Sequence, residues 1–259
     1  MNIIIPVLLF GAIGLVVGIV LSVASKLFAV ETDERIEQIT ELLPGANCGG
    51  CGYAGCSACA AAIVAGDAPV NACPGCANVA EIAKIMGVEA VGSNPKKAYI
   101  ACSGQTGKAI KKYDFDGTMS CYDISQLKGG DKNCDYACLG YGDCVEKCAF
   151  GALSIKDGIA SVDQTKCTGC GVCASVCPKS VIKILPENIK TFVACSSKDK
   201  GAALKDKCTA GCIGCKICEK NCEAGAISVV DNLAVIDYEK CTGCGICAEK
   251  CPKKIINLN

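Results

Sequence analysis

Apolar positions crowd the start of the chain. Ile3 to Ser25 hold no charged residue and are mostly Ile, Val, Leu, Gly and Ala. Those 23 residues would rise about 34 Å as a helix, enough to cross a bilayer. A cleaved signal peptide is the alternative, but no Lys or Arg precedes the run and it exceeds an ordinary h-region. Lys26 and Arg35 follow the span, so the positive-inside tendency puts the rest of the chain on the cytoplasmic side of the inner cell membrane. Gly11, Gly14, Gly18 and Ser22 share roughly one helix face, where another membrane helix could approach, although glycine is common in membrane helices generally. Beyond the span, Ile36, Ile39 and Leu43 have helical spacing, with Thr32 as the expected cap and Pro44-Gly45 as the stop. Alternation then predicts two β-hairpins. One is Ala152 to Ile155 and Ile159 to Val162 about Asp157-Gly158; the other is Ala226 to Val230 and Leu233 to Ile236 about Asp231-Asn232.

The second half repeats itself. Cys134, Cys138, Cys144 and Cys148 map onto Cys208, Cys212, Cys218 and Cys222 with an offset of 74, and GALSI at 151–155 maps onto GAISV at 225–229. Cys167, Cys170, Cys173, Cys177 and Pro178 map likewise onto Cys241, Cys244, Cys247, Cys251 and Pro252. Upstream, YIACS at 99–103 matches FVACS at 192–196 with an offset of 93, so the first copy carries 19 extra residues.

Composition sharpens this picture. Of 259 residues 26 are Cys, while aromatics are 5% and there is no Trp. Cysteine at such a level marks a Cys-built scaffold, not one large aromatic core. The absence of His excludes His-dependent catalysis, His-ligated metals and Rieske-type centres. Lys plus Arg balance Asp plus Glu at 26 each, which argues against nucleic-acid binding driven by basicity. Disulfides need an oxidising compartment, and zinc sites usually show two separated C-x2-C pairs. The spacing here is C-x2-C-x2-C-x3-C-P, the run of bacterial two-cluster ferredoxins, whose fourth Cys ligates the other cluster. It occurs at Cys167 and Cys241, and without the proline at Cys212, Cys215, Cys218 and Cys222.

Cross-ligation then gives Cys212, Cys215, Cys218 and Cys251 as one set and Cys241, Cys244, Cys247 and Cys222 as another. In the first copy Cys167, Cys170, Cys173 and Cys148 form a regular set. The remaining set is irregular, because Tyr141 stands where the second copy has Cys215. Cys134 is the expected substitute, giving Cys134, Cys138, Cys144 and Cys177; a three-iron centre or another fourth ligand are the alternatives.

Upstream lies LPGANCGGCGYAGCSACAAAIVAGDAPVNACPGC, with Cys48, Cys51, Cys56, Cys59, Cys73 and Cys76. Zinc on Cys56, Cys59, Cys73 and Cys76 would satisfy the paired spacing but leave Cys48 and Cys51 without a role. The segment resembles the amino-terminal [4Fe-4S] domain of the B-subunit family of Rnf complexes, ion-translocating ferredoxin:NAD+ oxidoreductases. That family's pattern, C-x2-C-x4-C-x16-C within LPG-x-NCG-x-CG-x-x-GC, is met at every interval by Cys48, Cys51, Cys56 and Cys73. An uncharged helix just before it is also the family's arrangement.

The resemblance implies an α+β protein: a transmembrane helix (1–30), a small helical [4Fe-4S] module (31–92) and two tandem ferredoxin-like two-cluster units (93–187 and 188–259). It implies a chain that takes electrons from reduced soluble ferredoxin and passes them to other Rnf subunits, the flow to NAD+ driving Na+ or H+ export. Five [4Fe-4S] clusters would use 20 cysteines, and a sixth could draw on Cys102 and Cys121 with neighbours. The alternative is buried thiols packing as small hydrophobes. No dinucleotide fingerprint, P-loop or His provides for hydride transfer, so the chain is expected to carry single electrons only. A polyferredoxin of another membrane oxidoreductase or hydrogenase would share the second half; the Cys48 to Cys73 module separates the two readings. Five oxidised cores would bring the chain to about −10. Lys96, Lys97, Lys108, Lys111 and Lys112, and again Lys198, Lys200, Lys205 and Lys207, could offset that charge or steer an acidic ferredoxin.

Overall fold

The computed structural model describes residues 4–27, 33–89, 95–115, 117 and 119–258. Its first element, α1 (Ile4–Leu27), is a 24-residue helix. Phe10, Leu15 and Leu21 are 73%, 64% and 64% exposed, so α1 offers lipid-like surface without covering it from within the chain. Its described side chains span 10–25, and among the described residues no helix is long and apolar enough to cross a membrane.

A helical module follows: α2 (Glu34–Leu42), α3 (Cys56–Ala65) and α4 (Val79–Met86). Ile39, Ile63 and Ile82, one from each helix, are at most 1% exposed and form its centre. Each such burial is worth about 1.5–3 kcal/mol. Asp33 caps α2, its carboxylate accepting from the Arg35 N–H at 2.9 Å. The expected cap Thr32 lies outside the described residues.

The two later units repeat one plan. In the first, β1 (Lys96–Ile100), α5 (Cys121–Gln126), α6 (Asp143–Glu146), β2 (Leu153–Lys156), β3 (Ile159–Val162), α7 (Val172–Ser175) and β4 (Ile182–Pro186) follow in order. In the second come β5 (Thr191–Val193), α8 (Gly201–Leu204), α9 (Ile217–Lys220), β6 (Ile227–Val230), β7 (Leu233–Ile236), α10 (Ile246–Lys250) and β8 (Ile256–Leu258). Both expected hairpins form, with Leu153 opposite Val162 and Ile227 opposite Ile236. Asp157 and Gly158 have φ of 49° and 72°, as a two-residue hairpin turn requires.

Each unit has a second ribbon that the hydrophobic pattern does not predict. The YIACS strand β1 pairs antiparallel with β4, and its counterpart β5 pairs with β8. Each ribbon ties the start of a unit to the stretch after its Cys-Pro, packing with the hairpin around the short helices.

The units meet through equivalent residues. Ser103 Oγ donates to the Ala194 carbonyl at 3.0 Å, and Ser196 Oγ returns a bond to the Ala101 carbonyl at 2.8 Å. Tyr99 and Phe192, also repeat mates, pack as tilted rings with centroids 5.0 Å apart and planes at 52°. The Ile110 N–H donates to the Lys207 carbonyl and the Thr209 N–H to the Lys108 carbonyl. The helical module sits against the first unit so closely that a Cβ on Gly50 would collide with the Cys170 carbonyl.

Candidate iron–sulfur sites

All 26 cysteines are described, and none is in a disulfide. Four small cavities, about 20 Å³ each, are walled by them. In the helical module Cys48, Cys51, Cys56, Cys59 and Cys73 line one, with Phe150 and Cys170 of the first unit closing it. Cys148, Cys167, Cys170 and Cys173 line the next, again with Phe150. In the second unit one cavity holds Cys212, Cys215, Cys218 and Cys251, and the other Cys222, Cys241, Cys244 and Cys247.

Local backbone explains how each run wraps its cavity. The residue before each short helix, Gly142, Gly171, Lys216 or Gly245, is left-handed, with φ between 59° and 96°. That turn bends the Cys run back on itself. Backbone N–H groups then point at sulfur: Ala98 to Cys167 at 3.4 Å, Ala152 to Cys148 at 3.4 Å and Ala226 to Cys222 at 3.3 Å. Such bonds stabilise thiolates and raise the potential of a cluster they hold.

Burial works the other way. It pushes the Cys173 thiol up to about 12 and those of Cys218 and Cys73 up to about 11, with neighbouring thiols adding to the rise at Cys173. A buried set of thiolates therefore needs cationic metal among them. All-thiolate donor sets suit soft metal centres, iron–sulfur clusters and zinc being the main ones. Among the described residues no group of three or more Cys, Asp or Glu is placed to hold a single metal ion. The zinc-type set is also not gathered: Cys76 is absent from the first cavity and its Sγ lies 3.7 Å from the Leu42 carbonyl, in the module's core.

The irregular set has a second candidate for its fourth cysteine. Cys144 is pushed up to about 12 by burial and then by the thiols of Cys138, Cys121 and Cys177. Cys134 instead neighbours Cys102 and Cys208. Cys121, carried on α5 within the 19-residue insertion, is a neighbour of Cys144. Its position is fixed by Asp143, whose carboxylate accepts the N–H groups of Cys121 and Tyr122 at 2.6 and 3.1 Å. The Cys121 sulfur in turn receives backbone N–H groups at Asp143, Tyr141 and Gly142. Tyr141 turns away, its hydroxyl 3.1 Å from Asp131 Oδ2. Cys121 therefore does not join Cys102 in a shared set. The signal is present in the sequence: the insertion that lengthens the first copy brings the one cysteine its missing position needs.

Of the basic residues noted in the sequence, Lys111 pairs with Asp114 at 3.1 Å, Lys112 with Asp135 at 3.4 Å, and Lys207 with Asp199 at 3.0 Å. Lys108 instead lines an open groove between the two units together with Lys253 and Lys254.

Cysteine runs wrapped in this way around repeated cavities define a ferredoxin-type iron–sulfur protein. Family models agree: an Fe-S cluster domain matches residues 43–74, a 4Fe-4S binding domain 160–183 and a 4Fe-4S dicluster domain 211–255. The chain is 44% identical over 258 residues, 98% of its length and 78% of the relative's, to the B subunit of the Na(+)-translocating ferredoxin:NAD(+) oxidoreductase complex of Acetobacterium woodii. It is 44% identical to the B subunit of the ion-translocating oxidoreductase complex of Methanosarcina acetivorans, covering 95% of this chain and 94% of that one. The B subunit of the proton-translocating ferredoxin:NAD(+) oxidoreductase complex of Clostridium ljungdahlii is 43% identical, over 93% and 87%. The chain belongs to the B-subunit family of Rnf complexes, the iron–sulfur subunits of ion-translocating ferredoxin:NAD+ oxidoreductases.

Proposed function

We propose that this chain is a membrane-anchored conductor of single electrons, taking them from reduced soluble ferredoxin and delivering them to the other subunits of its complex. One observation carries the reading: near-equal cysteine cavities occur in series, and the first two share Phe150 and Cys170 in their walls. When bound, a [4Fe-4S] core accepts and releases one electron at a low potential set by its surroundings.

Four of the five sets proposed to hold such cores are drawn from cysteines that share a cavity: Cys48, Cys51, Cys56 and Cys73; Cys148, Cys167, Cys170 and Cys173; Cys212, Cys215, Cys218 and Cys251; and Cys222, Cys241, Cys244 and Cys247. The fifth, Cys121, Cys138, Cys144 and Cys177, is proposed from the thiols that neighbour Cys144. Cys59 lies within α3, 1% exposed, and packs with the module's core. The chain's residues exclude water, supply thiolates and set potentials through N–H donors. Hydride transfer to NAD+ and ion movement belong to partner subunits in this reading.

The anchor is α1. Its uncharged run and exposed apolar faces suit lipid, and Lys26 and Arg35 after it support a cytoplasmic position for the cysteine modules. The helical module, next along the chain, is then nearest the membrane and hands electrons to membrane partners. The groove at Lys108, Lys253 and Lys254 offers positive charge to an acidic ferredoxin.

The test is anaerobic mixing of the purified full chain with reduced ferredoxin while visible absorbance is followed. Bleaching by several one-electron equivalents per chain is expected; no bleaching of an iron-loaded chain would contradict the donor assignment.

A further inference from the structure

Outside those five sets stand Cys59 and Cys76, packed in the helical module, and four others: Cys102, Cys134, Cys195 and Cys208. The four are two pairs of repeat mates, Cys102 with Cys195 and Cys134 with Cys208. They converge where the two units meet. Sγ of Cys102 and of Cys208 lie 3.3 and 3.9 Å from the point a Cβ on Gly104 would occupy. Ala109 and Cys208 form a β-bridge across the junction. Asn133 and Asp135, which flank Cys134, reach the Asp206 carbonyl and Lys207 beside Cys208 at 3.2 and 3.8 Å, and Ser196, next to Cys195, bonds to the carbonyl of Ala101, next to Cys102, at 2.8 Å.

The four are served as cluster ligands are. The N–H groups of Gly104 and Cys138 donate to Cys102 Sγ at 3.3 and 3.4 Å, and the Cys212 N–H donates to Cys195 Sγ at 3.3 Å. Two of these donors, Cys138 and Cys212, are repeat mates and themselves belong to the adjoining sets. Lys132, 5% exposed, donates to the carbonyls of Gly104, Cys138 and Gly158 at 3.2, 2.7 and 2.9 Å. Free cysteines packed as small hydrophobes would call for neither the aimed N–H groups nor a buried ammonium.

We propose that Cys102, Cys134, Cys195 and Cys208 hold a further [4Fe-4S] cluster, two ligands from each unit, that joins the electron path of one ferredoxin-like unit to that of the other. This rests on the electron-relay reading above. One electron arrives from the reduced cluster on one flank and leaves to the oxidised cluster on the other. No bond is made or broken and no proton moves. The series becomes continuous: helical module, Cys167 set, Cys144 set, junction, Cys218 set, Cys247 set.

The test is native mass spectrometry with iron and sulfide analysis on the anaerobically purified full chain, alongside Cys208→Ser, Cys195→Ser and, as the control outside the four cavities, Cys76→Ala. The expected results are six clusters, about 24 irons, in the parent chain, a loss of about four irons in either serine variant, and none in Cys76→Ala. Five clusters in the parent, or six with none lost in a folded Cys208→Ser or Cys195→Ser chain, would overturn the junction site while leaving the relay intact. Absence of labile sulfide from every form would sink the relay itself. Should the serine variants not fold, the cluster count of the parent chain still decides.

Discussion

Lys132 is the residue whose replacement has the most calculable effect. It is buried between the Cys144 set and the junction, bonded to three carbonyls. Its neighbour Asp131 faces Tyr141 and Lys111 instead, at 3.1 and 3.9 Å, and among the described residues no carboxylate pairs with Lys132. The proposed thiolate-ligated clusters on either side would supply the negative charge that balances it. Its Nζ is 2.7 Å from the Cys138 carbonyl, so iron held by the Cys138 thiolate would lie within about 6–8 Å. A unit charge at that distance in an effective dielectric near 20 is worth about 2–3 kcal/mol. For a one-electron couple this is about 90–130 mV. Lys132→Gln, which removes the charge and keeps a donor, should lower the potentials of the flanking clusters by about that amount, because reduction adds negative charge. Lys132→Met would in addition leave carbonyls unsatisfied at about 1–3 kcal/mol each. The assay is an EPR-monitored redox titration of the full chain. Unchanged potentials in a Lys132→Gln chain with full iron content would refute the placement of clusters beside this lysine.

Other outcomes follow from the same geometry. Cys121→Ser should cost about four irons, or leave a three-iron signal, while Tyr141→Phe should leave the iron content unchanged; the reverse pattern would restore the irregular set to other ligands. Gly50→Val, which collides with the Cys170 carbonyl, should slow electron exchange between the helical module and the first unit at least tenfold with no iron lost, measured by freeze-quench EPR. Cys144 and Cys173, pushed up to about 12, and Cys138, pushed up to about 11, are protonated thiols in the metal-free chain at neutral pH. Their protons must leave on cluster binding, so reconstitution should strengthen as pH rises from about 6 to 9 and release protons measurable with an indicator dye; pH-independent assembly would count against thiolate ligation at these sites. A chain starting after residue 27 should lose co-sedimentation with liposomes and keep its iron, whereas continued sedimentation would argue against α1 as the anchor.

Much of this arrangement is legible in residue spacing. The C-x2-C-x2-C-x3-C runs and the crossing of the fourth Cys correspond to which cysteines share cavities, because backbone turns within a run are local. The hairpins follow from alternation and their Asp-led turns. What spacing does not reveal is long-range. Cys121 comes close to Cys144 only because α5 folds back against α6, a contact made by Asp143 across 22 residues. Pairing of β1 with β4 joins strands more than 80 residues apart, for which short segments hold no period to read. The repeat does carry one further clue. The second copy has both its four-Cys sets complete without Cys208, so its repeat mate Cys134 is surplus as well, and the gap at Tyr141 has to be filled from elsewhere. The helix cap moves by one residue because Asp33 can serve both the Arg35 N–H and its guanidinium.

The most direct measurement is a coulometric reduction of the anaerobically purified full chain, with optical and EPR detection and metal analysis of the same sample. The account expects five to six one-electron equivalents per chain, with bleaching of sulfide-to-iron absorbance and interacting [4Fe-4S] signals. A chain that binds zinc, carries no labile sulfide and takes up no electrons would contradict it.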